Sequence, residues 1–361
     1  MVSKTTKLGG AASDVVIGKT AHGLMMMTFV VVSRLIGGKL KLFARWKPTP
    51  VPDEDCFASI KAGIDALPPG AKMFLNSGEF YGQGETTANL ELVARFFEKY
   101  PSYADKVFLS VKGGNKLHSL QPDGSPENLH RSVDYILEKL RGTKSLDLFE
   151  CARYDPTYTL EDSLKVLQGL VQEGKFKYIG LSEVGAATVR RAHKAAPEVA
   201  AVEIEVSPWS YTQETKDVIA TCAELGISVV AYSPLGRGFL TGQIKKPEDF
   251  EEGDFRRNLS RFQEENLKRN FAIVDALTEI AKRKGITSAQ LSIAWVSARG
   301  PHVVPLPGSS NAKRTLENIA GGDVELSSED LSEIDRVLSS HVVKGGRYVD
   351  AVPDEKLYLW G

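Results

Sequence analysis

The chain has 361 residues, 42% of them hydrophobic, which is enough for one large core and within the range of a single α/β barrel with insertions. Lys and Arg total 45 against 46 Asp and Glu, so the formal charge of −1 gives no reason to expect nucleic acid or an anionic membrane as partner, and any basic site must be local. Three cysteines, Cys56, Cys151 and Cys222, have no metal-ligand spacing and are too few to staple a chain of this size, which points to core thiols of a cytoplasmic protein.

A first strand is expected at 20–28, where Met25, Met26 and Met27 would fill the bottom or wall of a barrel. The next stretch, 29–45 (FVVVSRLIGGKLKLFAR), is long for a connection between a strand and the helix that follows at 46–66. Two readings stand. It is a hairpin inserted at the mouth of a barrel, or it is no part of the mature protein, because joining Thr28 to Trp46 leaves a natural strand, loop and helix start. The apolar run at 24–36 contains Ser33 and Arg34 and is too short to span a bilayer, so a soluble, unsecreted protein is expected.

From residue 50 onward, apolar runs alternate with amphipathic ones. Strands are predicted at 72–76, 107–112, 146–152, 178–182, 201–206, 228–232 and 303–306. Helices are predicted between them at 87–99, 127–141, 159–173, 187–194, 212–224 and 270–284. Leu90, Val93, Ala94 and Phe97 recur at helical spacing, as do Leu160, Leu164, Leu167 and Val171. Eight strands in connected βα units close more naturally into a (β/α)8 TIM barrel of one domain, 1–361, than they stay open. An open doubly wound sheet is the alternative, but no strand is followed by a dinucleotide glycine fingerprint or a phosphate loop. The interruption at 234–270 carries Gly236, Gly238, Gly242 and several arginines and has the look of a functional loop.

In such a barrel the C-terminal strand ends converge on one mouth. They carry Asn76 with Tyr81, Lys112, Glu150 with Ala152 and Arg153, Ser182, Glu205 with Ser207, Tyr232, and Pro307 with Gly308. Tyr81 just past one strand and Lys112 ending the next can build a proton donor, since an ammonium stabilises phenolate and pulls the phenol's pKa down from about 10. Taken singly, each of these residues is more often structural: a turn aromatic, a solvated charge, a rim tyrosine. The six histidines show no ligand spacing, and no metal is expected.

The segments SGEFYG, VKGG, LDLFECARYDP, YIGLSE, VAYSPLGRGFLTG and PLPGSSNAKRTLEN fall in this order on consecutive strand ends. Together they resemble the aldo-keto reductases, most closely the fungal pyridoxal reductase branch, from about Gly23 to Leu338. The resemblance implies a barrel that reduces a carbonyl with NADPH and without metal, with Tyr81 as general acid and Lys112 as its partner. Asn76 stands where most members have aspartate, and Ala152 where they have histidine. The amide can still accept from Lys112 but brings no charge, so the lysine's field on Tyr81 should be less compensated. The missing histidine opens space for a bulky ring beside Ala152 and Arg153.

The resemblance also places a cofactor site. Tyr232 would stack on nicotinamide, with Ser182 near its carboxamide and Glu203 where glutamine is usual. Ser233, Leu235 and Arg237 belong to the loop over the pyrophosphate. Gly308, Ser309, Ser310, Lys313, Arg314, Glu317 and Asn318 match the last cofactor motif, where Arg314 above all would favour NADPH over NADH. The implied function is reduction of an aldehyde, pyridoxal to pyridoxine by preference, by a monomer or weak homo-oligomer whose partner is the small molecule alone. A general aldehyde reductase is an alternative. So is a non-catalytic NADPH-binding regulatory subunit, which Asn76 and Ala152 would suit and the intact Tyr81 and Lys112 would not. The tail from Arg347 to Trp360 either reaches over the mouth or is ordinary C-terminal packing.

Overall fold

A computed structural model describes residues 2–28, 51–252, 254–348, 350, 352 and 356–361, together with the backbone of 34–36 and 39–41. Eight strands pair in parallel and in chain order: β1 (His22–Gly23), β2 (Met73–Gly78), β3 (Val107–Gly113), β4 (Leu148–Cys151), β5 (Tyr178–Ser182), β6 (Val199–Glu205), β7 (Ser228–Tyr232) and β8 (Val303–Leu306). The Ala21 and Gly23 amides donate to the Pro305 and Pro307 carbonyls at 2.9 and 3.0 Å, and Gly23 bridges to Gly308. That seam joins β8 to β1, and the sheet is the closed (β/α)8 barrel expected.

Every residue of β2, β3 and β6 is buried. Strands covered on both faces read as continuous apolar runs, and here the polar residues gather toward the strand ends, as in MFLNSG and VFLSVKG. Around them lie α1 (Asp53–Asp65), α2 (Ala88–Lys99), α3 (Pro126–Leu140), α4 (Leu160–Gln172), α5 (Ala186–Ala195), α6 (Gln213–Leu225), α7 (Glu264–Arg283), α8 (Ser288–Ser297), α9 (Ala312–Gly321) and α10 (Ser328–Ser340). Side-chain caps start several of them: Ser125 accepts from the Asn128 amide, Thr159 from Asp162, and Asn311 from Arg314. None of the described helices is long and apolar enough to cross a membrane.

The structure differs from the sequence reading at three places. The chain at 20–28 is extended only over His22–Gly23, and Met25–Thr28 forms a helical turn in which Met27 is buried in the core, as expected for the wall, while the Met26 side chain lies beside Gly308 at the mouth. The bottom is closed instead by an antiparallel hairpin of Thr5–Lys7 and Val16–Gly18. Leu8, Ala12 and Ile17 from this hairpin join Phe74, Phe108, Leu148, Val230 and Val304 in the barrel's inner cluster. Gly9 and Gly10 permit that fit, because a Cβ at either would sit 2.3 and 2.1 Å from the Gly226 and Val199 carbonyl oxygens. Three-residue strands carry too little alternation to be seen in sequence. Third, the loop after β7 is a chain of short 3-10 turns, and α7 begins at Glu264 rather than 270. Within 29–45, Arg34–Ile36 and Lys39–Lys41 pair antiparallel, and the rest of that segment lies outside the described residues.

Phe74 is buried at the centre of the inner cluster and stacks on Phe108 with centroids 5.3 Å apart. Phe74→Ala should destabilise the barrel by about 3–5 kcal/mol through lost burial and a residual cavity, measured by urea unfolding.

Candidate active site

Tyr81 is delivered by a tight turn after β2 whose backbone is held from both sides. The Thr28 hydroxyl donates to the Tyr81 carbonyl at 2.5 Å and is itself held by the Asn89 amide at 2.7 Å. On the other side, buried Glu79 accepts from Arg131 and Ser132, both at 2.5 Å, and its own amide donates to the Lys112 carbonyl at 2.8 Å. Gly78 lets the tyrosine ring fold back, since a Cβ there would lie 2.8 Å from it. Glu79, Asn89 and Thr28 carried no signal in the sequence, because the partners described above are 52, 61 and 53 residues away.

Parallel register sets Asn76 opposite Ser110, Gly78 opposite Lys112, and Lys112 opposite Glu150. Asn76, Glu150 and Glu203 belong to β2, β4 and β6, alternate strands whose inward side chains share a layer in a barrel of this kind. The Lys112 ammonium stands over them. Its Nζ is 2.5 Å from Glu203 Oε1, 3.4 Å from Glu150 Oε1 and 3.0 Å from Asn76 Oδ1, and 5.8 Å from the centroid of the Tyr81 ring. Asn76 completes the network by donating through Nδ2 to Glu150 at 3.0 Å and Glu203 at 2.9 Å.

This geometry corrects two expectations. Lys112 is not under-compensated by the amide at position 76, because two carboxylates face it from β4 and β6. The phenol's pKa is not lowered overall either. Burial pushes Tyr81 above the ordinary tyrosine value, and although the Lys112 ammonium pulls the other way, Glu203 and Glu150 add to the rise. Burial works to lower the lysine's own pKa, but Glu150 and Glu203 outweigh it and hold the ammonium charged above its usual range. Burial first, and Glu150 with it, work to raise the Glu203 carboxyl, but the Lys112 ammonium 2.5 Å away pulls it down, and with the Asn76 amide donating to it at 2.9 Å the contact is an ion pair.

The remaining predicted residues ring the mouth. Ala152 and Arg153 follow β4. Arg153 donates to the Ala152 carbonyl at 2.6 Å, the Leu357 carbonyl at 3.2 Å and the Tyr348 hydroxyl at 3.2 Å. Ser182, the last residue of β5 and paired with Glu203, has a buried hydroxyl with no partner among the described residues. Tyr232 ends β7, and Ser233 and Arg237 follow it in left-handed conformation. Leu235 lies half-buried between them, and Arg237 reaches Glu205 at 3.7 Å. Beyond β8, Gly308 passes close to the Gly23 backbone. The Ser309 carbonyl accepts from His22 and Ser59, both at 3.0 Å, with Ser310 next to it. Asn318 is buried and Glu317 half-buried on α9, while Lys313 and Arg314 are exposed in its first turn, with no ion-pair partner among the described residues.

These groups fit a dinucleotide. An orphaned hydroxyl suits a carboxamide, closely approached backbone suits a pyrophosphate, and two uncommitted cations at a helix start suit a phosphate.

The tail is tied into the mouth rather than packed elsewhere. Arg347 donates to both oxygens of Glu183 at 3.0 Å, to Glu205 at 2.9 Å and to the Tyr232 hydroxyl at 3.1 Å, and the Tyr348 hydroxyl lies 3.2 Å from that of Tyr232. The Trp360 amide donates to the Glu183 carbonyl at 2.7 Å. Arg347, nearest among the arginines, holds the Glu205 carboxyl at about 2 against the effect of its burial.

The aldo/keto reductase family profile matches residues 34–339. The chain belongs to the aldo/keto reductase family. A protein of Schizosaccharomyces pombe named "Probable pyridoxal reductase 2" is 38% identical over 308 residues, 84% of this chain and 91% of its own length. Another from the same yeast, aldo-keto reductase yakc, which has NADP(+) in its name, is 38% identical over 281 residues, 76% of this chain and 81% of its own. Among solved structures, the glycerol dehydrogenase AKR11B4 from Gluconobacter oxydans superposes with a TM-score of 0.74, covering 95% of this chain and 98% of that one at 22% identity, a likeness of fold. This aldo/keto reductase is therefore an enzyme, an oxidoreductase of aldehydes working with a nicotinamide dinucleotide.

Gly78→Ala should force the Tyr81 ring out of its place over Lys112. The expected outcome is a fall in kcat of roughly 100-fold, the scale of a 1 Å misplacement, with far-UV circular dichroism unchanged.

Proposed function

We propose that this aldo/keto reductase reduces pyridoxal to pyridoxine with NADPH, with Tyr81 as general acid. The observation that carries the mechanism is the buried phenol beside a charged lysine at the mouth of the barrel. The name of the S. pombe relative supports the substrate. When bound, the reduced nicotinamide supplies a hydride to the carbonyl carbon. Tyr81 is positioned to give its proton to the carbonyl oxygen as charge develops there, and the Lys112 ammonium stabilises the phenolate left behind. Burial keeps the phenol protonated at neutral pH, the state that reduction needs.

Small Ala152 leaves room for a substituted ring, and Arg153 beside it offers hydrogen-bond donors to ring oxygens. Tyr232 and Ser182 face the nicotinamide end in this reading. The uncommitted pair Lys313 and Arg314 favours a 2′-phosphate and hence NADPH, a preference in line with the NADP(+) in the name of yakc.

Tyr81→Phe should abolish NADPH-dependent reduction of pyridoxal while tryptophan fluorescence quenching still reports NADPH binding; retained turnover would remove Tyr81 as the acid. Arg314→Ala should weaken NADPH binding by about 10–100-fold, the worth of one charged hydrogen bond, and leave NADH nearly unchanged in the same titration.

A further inference from the structure

We infer that Glu203 is the positioning residue that holds Lys112 against Tyr81, and that Asn76 and Glu203 act as one unit, a neutral bridge on β2 required by the negative charge on β6. The inference rests on the reading of Tyr81 as the acid. It begins with Lys112, an ammonium only 6% exposed, which must be paired to remain charged there. Asn76 accepts from it but brings no charge. The nearest anion is Glu203, at 2.5 Å, across the barrel interior, with Glu150 further off at 3.4 Å.

The amide at 76 then has a role an aspartate could not fill. A carboxylate only accepts, whereas Asn76 accepts from Lys112 through Oδ1 and donates through Nδ2 to both glutamates, at 3.0 and 2.9 Å. With aspartate at 76 and glutamate at 203, three carboxyl groups would crowd one lysine, and like charges at that range cannot all ionise. The groups facing Lys112 and Tyr81 are Asn76 from β2, Ser110 from β3, Glu150 from β4 and Glu203 from β6, with Ser182 of β5 alongside Glu203. Among the described residues these groups set two carboxyl groups around the one cation, Lys112, and Glu203 is the group whose removal most directly loosens the lysine.

The test is a charge swap across the lysine, read in the pH profile of kcat for pyridoxal reduction. Reduction needs the phenol protonated, so the alkaline limb follows Tyr81. Glu203→Gln removes a negative charge beside the phenol and should lower kcat by about 10-fold or more and move that limb down by about one pH unit. Asn76→Asp alone should also slow the enzyme. The double variant Asn76→Asp/Glu203→Gln returns one carboxylate and one amide to the lysine and should recover most of both kcat and limb, which a merely structural glutamate would not do.

An unmoved limb in Glu203→Gln, or a double variant no better than the worse single one, overturns the inference. If Glu203→Gln fails to fold, a double variant that folds and turns over supports it, and one that also fails overturns it. An inactive Tyr81→Phe together with an unmoved Glu203→Gln profile would sink this inference alone and leave the acid in place.

Discussion

One buried ammonium organises the candidate site. Taking the Lys112 charge out of water costs several kcal/mol, and leaving it unpaired would make it deprotonate. The barrel meets that demand with side chains from β4 and β6 and an amide from β2. Because Asn76, Glu150 and Glu203 come from three separate strands, the network also ties β2, β4 and β6 together beside Tyr81. The phenol above is thereby placed against a charge that cannot drift.

The same rule governs the rim. Glu183 and Glu205 are fully buried carboxylates at the ends of β5 and β6, and they are matched by Arg347 from the tail, with Arg237 near Glu205. Arg347 also touches the Tyr232 hydroxyl, so the chain's last segment takes part in shaping the face where a nicotinamide would lie. A charged residue near a C-terminus reads as a solvated end. Here it is held because two strand ends carry carboxylates that need it.

Much of the barrel was legible because parallel strands buried on both faces are near-continuous apolar runs, and β5, β7 and β8 appear in sequence with their observed bounds. The bottom hairpin was not, since three residues carry no usable period, and neither was the turn at Met25–Thr28, which reads as an apolar strand until Thr28 is seen to hold the Tyr81 carbonyl. At the site, ordered strand-end motifs brought Tyr81, Lys112, Ser182 and Tyr232 together correctly around one mouth. The electrostatics went astray. Reading Asn76 alone suggested a bare lysine, because nothing local says that residues 150 and 203 point at residue 112.

What the sequence by itself determined is the alternation that makes a closed βα barrel, the residues that reach its mouth, and hence a family and a chemistry. These depend on local period and on which residue ends each strand. What only the tertiary structure decided is the sign and size of the fields there: a phenol pushed up by burial despite its lysine, a counter-charge supplied from β6 instead of β2, and a tail arginine locked over Tyr232. Fields add over every charge within reach and depend on burial, and neither distance nor burial is written along the chain.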